Sequence, residues 1–188
     1  SVVGVPAVLP AGVSYNDETH SFSLDPTASA YQSLASGATT TVTVPYGVSD
    51  DTHTTPASVS WTITGTNDAA TITAAEGADT DVTLPGDGTA GDLTAGGTLV
   101  NDDPDHGESS FTVLSPSLTG TFGTFTFATE TGEWTYTVDP DHEAILAPGE
   151  VGTDTLEVSS SDGTAAPYAI VVTVTSGNHA PVVDTEYG

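Results

Sequence analysis

The stretch Trp61-Thr62-Ile63-Thr64-Gly65-Thr66-Asn67-Asp68-Ala69-Ala70 returns near the other end of the sequence as Val172-Thr173-Val174-Thr175-Ser176-Gly177-Asn178-His179-Ala180-Pro181. Each copy alternates apolar residues with Thr, passes a small-residue turn, and reaches Asn beside a second side chain able to coordinate a metal. A period of two puts the apolar residues on one face of a β-strand. Asn67 and Asn178 stand 111 residues apart, the size of one all-β module. A chain patterned this way is expected to fold as repeated sheet modules, with this stretch at the end of one unit and its joint to the next.

Other pieces recur at nearly the same distance. Phe22-Ser23-Leu24-Asp25-Pro26 matches Tyr136-Thr137-Val138-Asp139-Pro140, Leu34 and Gly37 match Leu146 and Gly149, and Asp51-Thr52 matches Asp162-Gly163. The repeat divides the chain into a first β-sandwich module at 1–68, a second and complete one at 69–180, and the start of a further module or linker at 181–188. The first module is short of material at its N-terminal side. It is cut there, shorter by design, or completed by strands from elsewhere.

Strands are expected at 21–24, 40–44 with an extension to Val48, 58–64, 70–74, 81–84, 98–100, 111–114, 122–127, 134–138, 155–158 and 168–175, separated by Gly, Pro and Asp turns. Val59, Trp61 and Ile63 share one face, as do Trp134, Tyr136 and Val138. Single helical turns are expected at 28–34 and 144–146. The Gly/Asp/Thr-rich stretch 86–97 reads as a loop with little to bury.

The charge balance limits partners more than it limits fold. The chain holds 26 acidic residues and no Lys or Arg, a formal charge of −26. Acidic groups therefore face water or a bound cation, since no basic side chain can pair with them. Crowded like charges destabilise a compact state, and divalent ions relieve that. Nucleic-acid binding is disfavoured, because phosphate neutralisation needs Lys or Arg. Membrane insertion is not expected, as no run approaches the 18 or so apolar residues a spanning helix needs. With no Cys, stability comes from packing and ions rather than disulfides.

Calcium takes six to eight hard oxygen ligands from flexible turns at about 2.3–2.6 Å. Three clusters suit it: Asn101, Asp102, Asp103 and Asp105; the joint Asn67/Asp68 with Glu76 and with Asp103, Asp105 or Asp162; and Asp50/Asp51, from the preceding module, with that same joint. Asn178, Asp162 and Asp184 repeat the scheme at the next joint. An isolated Asp or Asn in a turn is ordinarily there for backbone geometry. These turns recur at the module period in a chain without cations. The five His are dispersed with no His-x-x-x-His pair, and no constellation marks an enzyme.

Gly65-Thr66-Asn67-Asp68, Gly120-Thr121-Phe122-Gly123-Thr124-Phe125-Thr126-Phe127, Gly132-Glu133-Trp134-Thr135-Tyr136-Thr137-Val138-Asp139 and Asp162-Gly163-Thr164 together resemble the VCBS repeats, cadherin-like and immunoglobulin-like modules of large bacterial RTX-type adhesins. The resemblance covers most of 13–181. It implies a Greek-key β-sandwich, tandem repetition, type I secretion to the cell surface, and calcium at turns and joints. The sequence departs from that pattern at Asn178-His179, where Asn-Asp is expected, and at Asp51-Thr52, in place of Asp-Gly. The expected role is a calcium-stabilised extender whose partners are neighbouring modules of the same chain, holding a ligand-binding region away from the cell. The alternative is a calcium-dependent module binding a host or surface glycan, or a peptide or protein. A buried Trp134 favours the first, and an exposed aromatic pair beside a calcium turn the second.

Overall fold

Thr or Ser alternates with Val, Trp or Ile over Thr41–Val44 and Ser58–Thr64, and the strands that hold these stretches, Thr39–Ser49 and Thr54–Thr64, pair along their full length from Thr39↔Thr64 to Ser49↔Thr54. β-branched residues suit a pleated surface, and the same logic runs through the chain. The computed structural model describes residues 1–86, 90–139 and 145–177, and it is an all-β protein. The expected helical stretch at 28–34 is a single 3-10 turn at Ser29–Tyr31. The one at 144–146 begins outside the described residues.

The chain separates into two compact units. The first contains residues 1–69 and 103–107. Its strands are β1 (Val2–Val3), β2 (Val13–Asn16), β3 (Ser21–Leu24), β4 (Thr39–Ser49) and β5 (Thr54–Thr64). β1, β4 and β5 form an antiparallel sheet in that order, and β2 and β3 form a hairpin with Tyr15 opposite Phe22. Tilted ring contacts run from hairpin to sheet: Tyr15 meets Phe22 within the hairpin at 4.7 Å between centroids, and Phe22 meets Tyr46 of β4 at 5.3 Å. Val42, Val44 and Ile63 are buried, whereas Phe22, Tyr46, Val59 and Trp61 are only half-buried. β2 was hidden in the sequence among Gly and Pro breakers, its alternation being only four residues long.

The second unit contains 70–102 and the described residues from Glu108 onward. It comprises β6 (Thr71–Ala74), β7 (Asp81–Thr83), β8 (Thr94–Asp102), β9 (Phe111–Val113), β10 (Gly123–Phe127), β11 (Glu133–Val138), β12 (Val151–Ser160) and β13 (Tyr168–Thr175). Two four-stranded sheets, β10-β11-β8-β6 and β7-β13-β12-β9, make a β-sandwich. All pairings are antiparallel except β7 with β13. Trp134, Tyr136 and Val138 do share a face, and with Phe125, Leu156, Val158, Val172 and Val174 they fill the core. Burying such side chains contributes about 1.5–3 kcal/mol each.

Two expectations need correction here. The stretch 86–97 is not all loop: Thr94–Gly97 is the first half of β8, paired with β11. Glycine suits that half because Trp134 lies opposite Gly97. A Cβ on Gly97 would stand 3.1 Å from the indole Nε1 and 2.7 Å from the Ala78 Cβ. Asn101 and Asp102 are likewise strand, paired with Ile72 and Thr71, so the acidic turn begins only at Asp103.

Candidate metal centre

β8 ends at Asp102, just before the acidic turn, and Asn101 near that end belongs to the second unit. Its Nδ2 donates to the carbonyl oxygens of Ser110 at 2.9 Å and Glu108 at 3.3 Å. Its Oδ1 is buried and accepts no hydrogen bond. In the same unit, carboxylate oxygens of Glu108 and Asp162 lie within 4.8 Å of each other. Asp162 is also anchored locally, accepting from the Thr164 amide at 3.2 Å and hydroxyl at 2.5 Å. The Thr164 hydroxyl oxygen in turn accepts from the Ala70 amide at 3.0 Å.

Residues 103–107 belong to the first unit. Pro104 stiffens a turn in which Asp103 Oδ1 accepts from the Asp105 amide at 2.9 Å. The His106 amide donates to the Ser33 carbonyl at 3.2 Å and holds the turn in place. Asp105 is only 2% exposed, and its Oδ2 accepts from the Asp68 amide at 2.8 Å. Asp103 Oδ2 and Asp105 Oδ1 are buried and accept nothing. A buried carboxylate oxygen without a donor is costly. No Lys or Arg exists to relieve it, and a hard divalent cation is the partner such oxygens suit.

The remaining sites are placed differently. Asp68 reaches Asp105 through its backbone amide, and Asn67 Nδ2 donates to the Asp68 carbonyl at 2.9 Å. Glu76 is exposed on the turn after β6, and Asp102 points to solvent from β8. Among the described residues, Asp50, Asp51, Asp68, Glu76 and Asp102 join no group of three metal-capable side chains within 4.8 Å. Asn178 and Asp184 lie outside the described residues.

The β4–β5 hairpin clarifies the departure at Asp51-Thr52. Asp50 Oδ1 accepts from the Thr52 amide at 3.0 Å, the Thr52 hydroxyl at 2.8 Å and the His53 amide at 2.8 Å. That is the pattern of Asp162 and Thr164. Asp51, at φ 74, occupies the left-handed position of Gly163, at φ 78. The matching pairs are therefore Asp50 with Asp162 and Thr52 with Thr164, one residue from the register read in the sequence. The Thr52 hydroxyl, followed by the His53 and Thr52 amides, holds the Asp50 carboxyl below its usual range. The Thr27 hydroxyl and amide do the same for Asp25.

Sequence reasoning missed Asp154. It lies in β12 at 4% exposure, in an inward position of a Thr-rich run. Its carboxylate accepts from the amides of Thr121 (2.6 Å), Phe122 (2.9 Å) and Gly123 (3.1 Å), and from the Tyr136 hydroxyl (2.7 Å). Burial first, and then the Asp154 hydrogen bond and charge, push the Tyr136 hydroxyl far above its usual pKa. The glycines of Gly120-Thr121-Phe122-Gly123 make room for this pair. A Cβ on Gly120 would collide with the Asp154 carboxylate, and one on Gly123 would stand 2.7 Å from the Tyr136 oxygen. With four donors in place, Asp154 is a structural anchor rather than a metal ligand.

No family model matches the chain, and no curated protein sequence matches it. Among solved structures it is similar to the extracellular domain of protocadherin GammaB4, at 12% identity and TM-score 0.39, covering 94% of this chain and 27% of that one. It is similar to zebrafish RET cadherin-like domains 1 to 4, at 12% identity and TM-score 0.38, covering 96% and 42%. Mouse cadherin-23 EC22-24 gives 13% identity and TM-score 0.33, covering 92% and 50%. The chain thus spans half or less of each of these structures. With every TM-score below 0.5, the β-sandwich assignment rests on the strand pairing above. Among the described residues, no helix is long and apolar enough to cross a membrane.

Proposed function

We propose that the chain is a calcium-stabilised structural segment of a large extracellular bacterial adhesin, supplying length between the cell and a distal ligand-binding region. The observation that carries this reading is the set of buried oxygens Asn101 Oδ1, Asp103 Oδ2 and Asp105 Oδ1. They accept no hydrogen bond in a chain of charge −26. Asp103 and Asp105 are the ligands proposed for the first unit, and Asn101, Glu108 and Asp162 those for the second. The repeated patterning supports tandem use of the module, and the VCBS-like residues support secretion by a type I route. Trp134 is 3% exposed, which leaves no ring face for stacking a sugar and favours the spacer over the binding module.

Extracellular modules bind calcium at about 10⁻⁴–10⁻³ M, so such sites empty in the cytosol and fill outside. A site saturated a hundredfold over its dissociation constant contributes about 2.7 kcal/mol. For a unit of this size that is about 10 °C of melting temperature. Thermal unfolding in calcium, in magnesium, in chelator and in sodium chloride of matched ionic strength tests the reading. Stabilisation by calcium alone supports it. Equal stabilisation by sodium chloride assigns the acidic surface to general salt adaptation, and no change with calcium sinks the proposal.

A further inference from the structure

The second unit serves as a template for the first. Counting back eight residues from the matched turns at Asp50 and Asp162 pairs Val42 with Asp154. The cross-strand partners then pair Trp61 with Val172. β4 and β5 thus correspond to β12 and β13, and β1 lies along β4 as β9 lies along β12. The β2–β3 hairpin, with Tyr15 opposite Phe22, corresponds to β10–β11, with Phe125 opposite Tyr136. The matching strands run in the same chain order. What the second unit has in addition is β6, β7 and β8, and all three precede β9 in sequence.

In the second unit β8 lies against β11, with β6 outside it, and β7 runs parallel to β13 from Asp81↔Thr173 to Thr83↔Thr175. In the first unit the corresponding sides of β3 and β5 carry no described strand. The consequence is visible in burial. Tyr136 and Val172 are fully buried, while their counterparts Phe22 and Trp61 are half-buried. β5 is eleven residues long, carries no charged residue, and turns Val59, Trp61 and Ile63 to one face. A long uncharged edge is what native sheets avoid leaving uncovered.

We propose that the edges of β3 and β5, which carry no strand among the described residues, are an acceptor for three strands of the β6–β7–β8 type, supplied by a further segment with the chemistry of residues 70–110. One strand adds in parallel to β5, and another adds antiparallel to β3 with the third outside it. The mode is β-strand addition, in which backbone hydrogen bonds give affinity and the alternating side chains fill the open face. The β1–β4 ladder already continues through Ser1. Its nitrogen donates to the Ser49 carbonyl at 2.7 Å, and its carbonyl accepts from the Ser49 amide at 2.9 Å. This inference does not rest on calcium.

The test compares the 188-residue chain with the same chain carrying a copy of residues 70–110 fused ahead of Ser1. Amide hydrogen exchange is read at β5, with acrylamide quenching of Trp61 as a second measurement. In the extended chain, β5 amides should slow on the order of a hundredfold, Trp61 should become shielded, and β12 and β13 should not change. A fusion carrying the same residues in scrambled order is the control and should protect nothing. If the fusion aggregates, residues 70–110 added as a separate peptide must give the same β5 protection. Failure of both overturns the proposal. So does a β5 edge already protected in the 188-residue chain, with concentration-dependent sedimentation then showing that a second copy covers it.

Discussion

The two units place different chemistry at the same three strand positions. The first has Val13, Phe22 and Val42, and the second has Gly123, Tyr136 and Asp154. Adding the Tyr136 hydroxyl requires an acceptor, which Asp154 supplies, and space, which the missing side chain at Gly123 supplies. Where the ring is Phe22, a Val can occupy each of the other two places. The positions change together because a buried carboxylate is tolerable only when every lone pair is used. The second unit thus joins its two sheets through a polar anchor, and the first unit places only apolar side chains at the matching positions.

The largest expected effect comes from breaking the anchor. Asp154→Val leaves three backbone amides and the Tyr136 hydroxyl without an acceptor, and should cost about 4 kcal/mol. Denaturant unfolding followed by Trp134 emission in a Trp61→Phe background reads the second unit. A loss below about 1 kcal/mol would show that water replaces the carboxylate and that the comparison is mistaken. Next is Gly123→Val, which drives a side chain against the Tyr136 oxygen and the Thr137 carbonyl and should cost about 3 kcal/mol. In a double-mutant cycle with Tyr136→Phe the two should couple by about 1 kcal/mol. Strict additivity would separate the two positions.

The pH dependence follows the same division. Tyr136 has a raised folded pKa, so its contribution is complete below the unfolded value near 10 and is lost as pH rises beyond it. Alkaline unfolding of the second unit should therefore shift to higher pH in Tyr136→Phe. In the first unit, Asp25 and Asp50 have lowered folded pKa values. Their contribution is present above the unfolded value near 4 and is lost as pH falls through the folded value. Asp50→Asn should flatten the acid limb below pH 4, the smallest effect of the set. An unchanged acid limb would mean that the Thr52 and His53 bonds do not favour the charged form.

Much of the fold was legible because Thr/Val alternation is a local signal. Ser21–Leu24 and Tyr168–Thr175 were readable to the residue from period and flanking turns. The β8 start was not, because Thr94–Gly97 is strand through its cross-strand partner Trp134, and a one-dimensional reading does not see that partner. Asp154 was illegible for a related reason. An Asp between Thr153 and Thr155 looks solvent-facing until the amides of Thr121–Gly123 are folded over it. The acidic turn was conspicuous as composition. Which of its oxygens are buried, and that Asp68 contributes an amide there, emerged only from the folded chain.

Calorimetric titration of calcium into the chain reads whether the buried oxygens of the acidic turn hold the ion, as proposed. Binding is expected at about 10⁻⁴–10⁻³ M, weakened at least about tenfold in Asp105→Asn, a loss of about 1.4 kcal/mol. The same variant should unfold no earlier than the parent in chelator, since the substitution removes a buried charge. Absence of binding heat at millimolar calcium, or undiminished binding by Asp105→Asn, would contradict it.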